Sequence, residues 1–245
     1  MMSTVILFKS CLADTIARTS LDQSHWRAEE WKVLWDKVNQ EVLNDAFSQH
    51  GVILEIFSSL GKLEYRRCKS LARVHQKMNL QWLIEQDYFK VLSDFIAVRL
   101  HCPVGEIPSK IDQIREIVKA NVGKIYVKGA TEECPYGLCK NSKGEYTDIT
   151  QKAHIFIERI GYVIEFQINH EFASHAFTLH STLREKKTSE KVDLISQGFY
   201  SEVRKYILDK TNDRNPDSKE ELLGKAKQIH NGCIPADLQK ILICL

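Results

Sequence analysis

Hydrophobic and polar positions along the chain follow two periods, one typical of helices and the other typical of strands. Large apolar residues recur at helical spacing in the first fifth of the chain, at Trp31, Trp35, Val38, Val42 and Phe47. Apolar residues at this spacing form one face of an amphipathic helix. Residues 1–50 are therefore predicted to form an N-terminal helical segment that ends at Gly51.

A series of short apolar runs has the density and the bounding turn residues of β-strands. Gly161 separates the last two runs, which predicts a hairpin at this point. Several strands in one chain of this size favour a single sheet. The predicted strands cover residues 52–57, 63–67, 93–102, 124–128, 154–160 and 162–168.

Helical patterns lie between and after these strands. Ile111, Ile114, Ile117 and Val118 share one face of a helix that begins near Pro108. The order of elements predicts an α+β fold, in which a mixed β-sheet is flanked by helices and the chain has helical N- and C-terminal extensions. Further helices are predicted at residues 71–78, 171–187, 189–209 and from 218 onward.

Composition narrows the classes of protein to consider. The 34 Lys and Arg residues oppose 32 Asp and Glu residues, and a net charge of +2 does not by itself indicate a nucleic-acid-binding protein. Seven cysteines, an odd number spread thinly, favour reduced thiols over a disulfide framework. No segment approaches ~20 consecutive apolar residues, and the apolar run at the N terminus is too short for a signal peptide. We therefore expect a soluble, cytoplasmic protein without a membrane partner.

Two cysteines in a long loop allow two interpretations. Cys134 and Cys139 have a spacing that could contribute to a zinc site together with a distant histidine. A second pair of Cys or His residues at close spacing is missing, which favours two free loop thiols.

Several charged and amide side chains interrupt the apolar strands, where core packing gives no reason for them. Asp94 and Arg99 lie at the two ends of one predicted strand, and Glu165 and Gln167 alternate along another. A basic stretch at residues 66–77 precedes them. Two carboxylates and a group of fixed cations are what phosphate chemistry with a divalent metal requires. The glycine-rich loop of a P-loop ATPase is absent.

The order and spacing of these residues resemble the synthetase domain of the RelA/SpoT family, a nucleotidyltransferase-like domain, in the stand-alone form of the small alarmone synthetases. The resemblance divides the chain into an N-terminal helical segment at 1–50, a synthetase domain at 51–187 and a C-terminal helical extension at 188–245. The matching motifs are Arg67-Cys68-Lys69-Ser70, then Lys77, then Asp94-Phe95-Ile96-Ala97-Val98-Arg99, and finally Glu165-Phe166-Gln167-Ile168.

The resemblance also implies roles for these residues. Asp94 and Glu165 are the expected catalytic residues and the expected ligands of Mg²⁺, which prefers one or two carboxylates plus phosphate oxygens and water. Asp94 could instead cap a turn. Glu165 could complete the metal site, polarise the attacking 3′-hydroxyl, or pair with surface cations. The expected ATP-binding residues are Arg67, Lys69, Ser70, Lys77 and Arg99.

The acceptor side departs from the family pattern. Where family members carry Gly-Tyr-x-Ser-x-His, the nearest match here runs from Gly144 to Thr150, with an inserted Glu145. Tyr146 is the candidate that would stack on the acceptor base, and Gln167 is the second candidate acceptor-binding residue. The arginine that usually follows the Glu-x-Gln strand is Asn169 here.

Three functions are compatible with a chain whose ATP-binding motifs match the family and whose acceptor motif does not. The first is an ATP-dependent pyrophosphokinase that transfers the β,γ-pyrophosphate of ATP to the 3′-hydroxyl of a guanine or related nucleotide, which is alarmone synthesis. The second is a toxic relative that modifies the 3′ end of tRNA. The third is an inactive nucleotide-binding module. The expected partners are ATP and a guanine nucleotide or tRNA acceptor, and the resemblance implies that a homo-oligomer can form.

Overall fold

The fold is given by a computed structural model of the chain. Two predicted helices, at residues 71–78 and 171–187, lie outside the described residues except for Ala72, which is helical. Trp31, Trp35 and Val38 also lie outside them. The structure describes residues 2–18, 34, 37, 40–66, 68, 72, 94–138, 140–148, 150–170, 190–215, 219–229, 232 and 239.

Six α-helices and two short 3₁₀ helices occur among the described residues. The 3₁₀ helices are Ser58–Leu60 and Val104–Glu106. None of the helices described is both long and apolar enough to cross a membrane. The α-helices are α1 (Thr4–Arg18), α2 (Gln40–Ser48), α3 (His50–Ile56), α4 (Ile107–Ala120), α5 (Glu190–Thr211) and α6 (Lys219–Ile229).

Five strands form one mixed sheet flanked by helices, which confirms the predicted fold class at this level. The strand order is β1-β2-β5-β4-β3. The two outer pairs, β1 with β2 and β3 with β4, are antiparallel. The strands are β1 (Leu63–Arg66), β2 (Ile96–Cys102), β3 (Gly123–Val127), β4 (Thr150–Ile157) and β5 (Val163–His170).

The position of each strand in the sheet explains its sequence. The inner strands β2 and β4 are buried along almost their whole length, whereas the edge strands β1 and β3 are mostly half-exposed. A strand covered on both faces needs a nearly continuous apolar run. The few polar residues that remain in the inner strands are therefore unusual and mark one face of the sheet.

The other face of the sheet carries the apolar core. Phe57 follows α3 and packs edge-on against Phe166 of β5, with ring centroids 5.2 Å apart. Helix α4 packs against β3, and its residues Ile111 and Ile114 are fully buried. The predicted amphipathic face of this helix is confirmed.

The β4–β5 hairpin is also confirmed, although its first strand is displaced. Strand β4 begins at Thr150, not at His154, and ends at Ile157. Gly161 in the connecting turn has a φ of 72°, a left-handed conformation that favours glycine. The side chain of Lys9 lies within 3 Å of the position that a Cβ at Gly161 would occupy.

The predicted strand at 52–57 is wrong, because these residues belong to α3 and the turn after it. Gly51 lies inside this helix and does not end the preceding one. The buried residues of the segment are Ile53, Phe57 and Leu60, which have helical spacing. Periodicity cannot distinguish a strand from a helix in so short an apolar run.

The chain divides into two compact units that do not follow the order of the sequence. The first comprises residues 1–100, 106–137 and 151–168, and the second comprises 101–105, 138–150 and 169–245. Within the second unit α5 packs against α6, and Lys225 forms an ion pair with Glu202 at 3.1 Å. The predicted boundary at residue 51 lies within α3.

Candidate active site

Polar side chains cross the sheet of the first unit on the face opposite Phe166. Strand alternation and register place them on one face, because Glu64 is paired with Arg99 across β1 and β2, and Tyr126 with His154 across β3 and β4. We call this set the polar row. Its members, in spatial order, are Glu64, Arg99, Gln167, Glu165, Lys152, His154 and Tyr126.

Arg99 is the buried cation of the row, and only 4% of its surface is exposed. Its Nη1 donates to Glu64 at 3.3 Å, while Nε and Nη2 both lie 3.4 Å from Oε1 of Gln167. Burial, followed by the charge of nearby Arg66, lowers the pKa of Arg99. A buried guanidinium requires such partners, because an unpaired charge away from water is costly.

Gln167 connects Arg99 to Glu165. Its carbonyl oxygen accepts from the guanidinium, and its amide nitrogen donates to Oε1 of Glu165. A carboxamide can accept through its oxygen and donate through its nitrogen at the same time. A glutamate at this position would lose the donor and place a second negative charge beside Glu165.

Glu165 lies close to two side chains of β4. Lys152 Nζ lies 3.5 Å from Oε2 of Glu165, and His154 Nε2 lies 3.9 Å from the same oxygen. The ring of His154 is nearly parallel to that of Tyr126, with centroids 6.2 Å apart. Both oxygens of the carboxylate therefore face donors or cations of the protein.

These neighbours keep the carboxylate of Glu165 ionised despite its burial. Burial by itself would raise the pKa of Glu165. The proximity of His154, the charge of Lys152 and the hydrogen bond from Gln167 outweigh this effect and lower the pKa from 4.5 to about 2. The site thus contains a fixed, buried negative charge at neutral pH.

Acid is expected to lower the free energy of unfolding by protonating Glu165. A carboxylate with a lowered pKa in the folded state stabilises the protein fully above pH 4.5, and this contribution is lost as the pH falls towards 2. The change in pKa corresponds to a contribution on the order of 3 kcal/mol. The free energy of unfolding should therefore differ between the wild type and Glu165→Gln at pH 6, and this difference should shrink by about that amount at pH 2 to 3.

Urea denaturation at a series of pH values measures this difference. Glu158→Gln, at an exposed glutamate in the turn after β4, is the matched control and is expected to show a much smaller change with pH. A difference between wild type and Glu165→Gln that stays constant from pH 6 to pH 2.5 would contradict the electrostatic account of this site.

Asp94 lies two residues before β2 and is half-buried. Strand β2 neighbours β5, so the two predicted catalytic carboxylates belong to adjacent parts of the sheet. Within the described part of the chain, no group of three or more His, Cys, Asp or Glu side chains is arranged to hold a metal ion. A single carboxylate such as Asp94 still suits Mg²⁺, which completes its ligand set with phosphate oxygens and water.

Four of the predicted ATP-binding residues cannot be placed. Arg67, Lys69, Ser70 and Lys77 lie outside the described residues, and so does Cys139 of the predicted thiol pair. Their roles stay predictions. The preceding strand does place Arg66 opposite Ala97, on the same face as Arg99.

Tyr146 belongs to the second unit, where its backbone is firmly held. Its N–H donates to Oδ1 of Asn212 at 2.6 Å, and Nδ2 of Asn212 donates to its carbonyl oxygen at 3.0 Å. Lys140 lies over the ring, with Nζ 4.5 Å from the centroid. The ring is half-buried, and its predicted role in stacking on a base stays a prediction.

Four members of the polar row were not predicted from the sequence: Glu64, Lys152, His154 and Tyr126. The sequence did contain a signal that could have identified two of these residues. Lys152 and His154 alternate with buried residues inside an apolar run, as Glu165 and Gln167 do. The predicted strand began at His154, which excluded Lys152 and hid this alternation.

Comparison with known proteins adds no assignment. No protein-family model matches the chain, and neither does any curated protein. The function proposed below therefore depends on the polar row and on the sequence motifs.

Proposed function

We propose that this protein is an ATP-dependent pyrophosphokinase of the RelA/SpoT type, which transfers the β,γ-pyrophosphate of ATP to the 3′-hydroxyl of a guanine or related nucleotide. The observation that carries the proposal is the ionised carboxylate of Glu165. It is buried, fixed by Gln167 and Lys152, and lies on the strand next to the one that Asp94 precedes. Sequence motifs of the same family supply Asp94, Arg99, Glu165 and Gln167 in this order.

In the proposed reaction, the acceptor hydroxyl oxygen attacks the β-phosphorus of ATP. A new bond forms between that oxygen and the β-phosphorus, the bond from the β-phosphorus to the α,β-bridging oxygen breaks, and AMP leaves with the bond's electron pair. The hydroxyl proton passes to water. Such a transfer needs positioning and charge stabilisation more than covalent help from the protein.

Glu165 is suited to hold the acceptor hydroxyl. Its pKa of about 2 makes it a poor general base at neutral pH, since an efficient base has a pKa near the working pH. An ionised, fixed carboxylate instead accepts a strong hydrogen bond and orients the hydroxyl. Because its oxygens already face Gln167, Lys152 and His154, this role suits Glu165 better than that of a metal ligand.

Asp94 is the proposed ligand for Mg²⁺. A bound Mg²⁺ would neutralise negative charge on the phosphate oxygens of ATP and help to position them. Arg67, Lys69, Ser70 and Lys77 are the proposed ATP contacts. Arg99 contacts Glu64 and Gln167, which suits a residue that positions Glu165 through Gln167.

Transfer of label from γ-labelled ATP tests the function. The purified protein is incubated with Mg²⁺ and, separately, GDP, GTP, an adenine nucleotide or bulk tRNA. We expect label on GDP or GTP and one AMP released for each labelled product. Label transferred together with release of ADP, and not AMP, would contradict the proposed reaction.

The other two functions predict different results in the same experiment. A tRNA-modifying enzyme would label tRNA and not GDP, with a rate that falls steeply with salt because phosphate contacts release counterions. An inactive nucleotide-binding module would bind ATP and label none of the acceptors. Either result would contradict the proposed transfer of pyrophosphate to a guanine nucleotide.

A further inference from the structure

Two lysines lie directly opposite each other on β4 and just after β3, and one of them, Lys152, contacts Glu165. The antiparallel register of β3 and β4 pairs Val127 with Ala153, and it continues one step further because the N–H of Lys128 donates to the carbonyl of Lys152 at 2.8 Å. The pair therefore belongs to the face that carries the polar row. Like charges directly opposite each other destabilise an antiparallel pair of strands.

The charges of this pair are only partly balanced by the protein. Lys152 forms an ion pair with Glu165, and its side chain is 38% exposed. Lys128 is exposed, and no carboxylate of the described residues lies within 4 Å of its ammonium group. Of the two ammonium groups, that of Lys152 is paired with Glu165, and both side chains remain accessible from solvent.

The backbone beneath the pair is tightly fixed. Nε2 of Gln151 donates to the carbonyl oxygens of both Lys128 and Lys152, at 2.8 and 3.0 Å. Gly137 packs so closely that a Cβ there would collide with the carbonyl of Lys128 and the side chain of Gln151. Gly137 also has a φ of 71°, which favours glycine. A fixed backbone that carries two exposed ammonium groups is preorganised to bind an anion.

We propose that Lys128 and Lys152 form a phosphate-binding subsite that holds the diphosphate of the acceptor nucleotide next to Glu165. This subsite rests on the proposed function, since it assigns the acceptor of that reaction. A lysine ammonium group binds phosphate as a point charge. Two of them side by side match a compact diphosphate, whereas a polynucleotide backbone would be held over a more extended basic surface.

The subsite makes the acceptor's phosphates a determinant of specificity. GDP should be a far better acceptor than GMP or guanosine. Lys128→Gln and Lys152→Gln should each raise the KM for GDP about tenfold, which corresponds to loss of one charge-assisted contact. The kcat and the KM for ATP should change little in Lys128→Gln, and Lys152→Arg should retain most of the affinity for GDP.

Steady-state kinetics of these variants, together with calorimetric titration of GDP and of inorganic pyrophosphate in the absence of ATP, test the subsite. Lys119→Gln is the matched control, because Lys119 is exposed on α4. A higher KM for ATP and not for GDP would overturn the proposal. So would a Lys152→Gln variant with lower kcat and unchanged GDP affinity, because Lys152 would then serve only as the counter-ion of Glu165.

The two measurements separate this subsite from the proposed function. If the protein transfers label but Lys128→Gln binds GDP as tightly as Lys119→Gln does, the subsite is wrong and the function stands. If these lysines are needed to bind GDP and pyrophosphate but label reaches none of the acceptors, the subsite stands as an anion site and the function is wrong.

Discussion

Replacing Glu165 with glutamine is expected to lower the rate of pyrophosphate transfer at least ~100-fold, by analogy with the loss of a single electrostatic stabiliser in an enzyme site. The substitution keeps the size of the side chain but removes the negative charge that Lys152, His154 and Gln167 hold in place. A neutral amide at this position accepts a weaker hydrogen bond from the acceptor hydroxyl. The loss should be in kcat, with little change in the KM for ATP.

Transfer of label from γ-labelled ATP to GDP measures this effect, and circular dichroism checks that the variant is folded. Glu158→Gln removes the same charge from an exposed glutamate and should leave the rate near that of the wild type. Near-normal turnover by folded Glu165→Gln would show that this carboxylate does not act in the reaction.

Asp94→Asn is expected to cause a comparable loss, again at least ~100-fold. An asparagine keeps the turn-forming ability of the residue before β2, because both side chains can bond to nearby backbone groups. It is a much poorer ligand for Mg²⁺, which prefers carboxylates. The variant should therefore fold normally and respond to Mg²⁺ only at raised concentrations.

The dependence of the rate on Mg²⁺ concentration separates a metal ligand from a turn cap. Asp213→Asn is a suitable control, because Asp213 is exposed and has a φ of 53°, a conformation that asparagine tolerates well. If Asp94→Asn loses thermal stability but keeps the wild-type rate and Mg²⁺ dependence, Asp94 only caps the turn.

Much of the fold could be predicted because many elements carry an unambiguous local signal. The amphipathic face of α4 is long enough for its period to be read, and β2 is an almost continuous apolar run with a proline shortly after it. The strand predicted at residues 52–57 was wrong for the opposite reason. It is too short for its period to be recognised, and its helical conformation depends on the burial of Ile53 and Phe57 in the core.

The candidate site, like the fold, could be predicted only in part from the sequence. The sequence by itself determined which carboxylates stand out, since Asp94 comes just before an apolar strand and Glu165 interrupts another. It also determined that Gln167 shares the face of Glu165, because side chains alternate along a strand with period two. These features depend only on neighbours along the chain.

The tertiary structure alone decided what each of these side chains contacts. The predicted contact of Arg99 with ATP stays a prediction, and the pairing of β1 with β2 and of β2 with β5 places its side chain between Glu64 and Gln167. Lys152 and His154, which lie beside Glu165, come from β4, and the register of β3 and β4 pairs Lys128 with Lys152. Strand order and register are fixed by packing between residues distant in sequence, and the charge state of a buried carboxylate depends on the partners that this packing supplies.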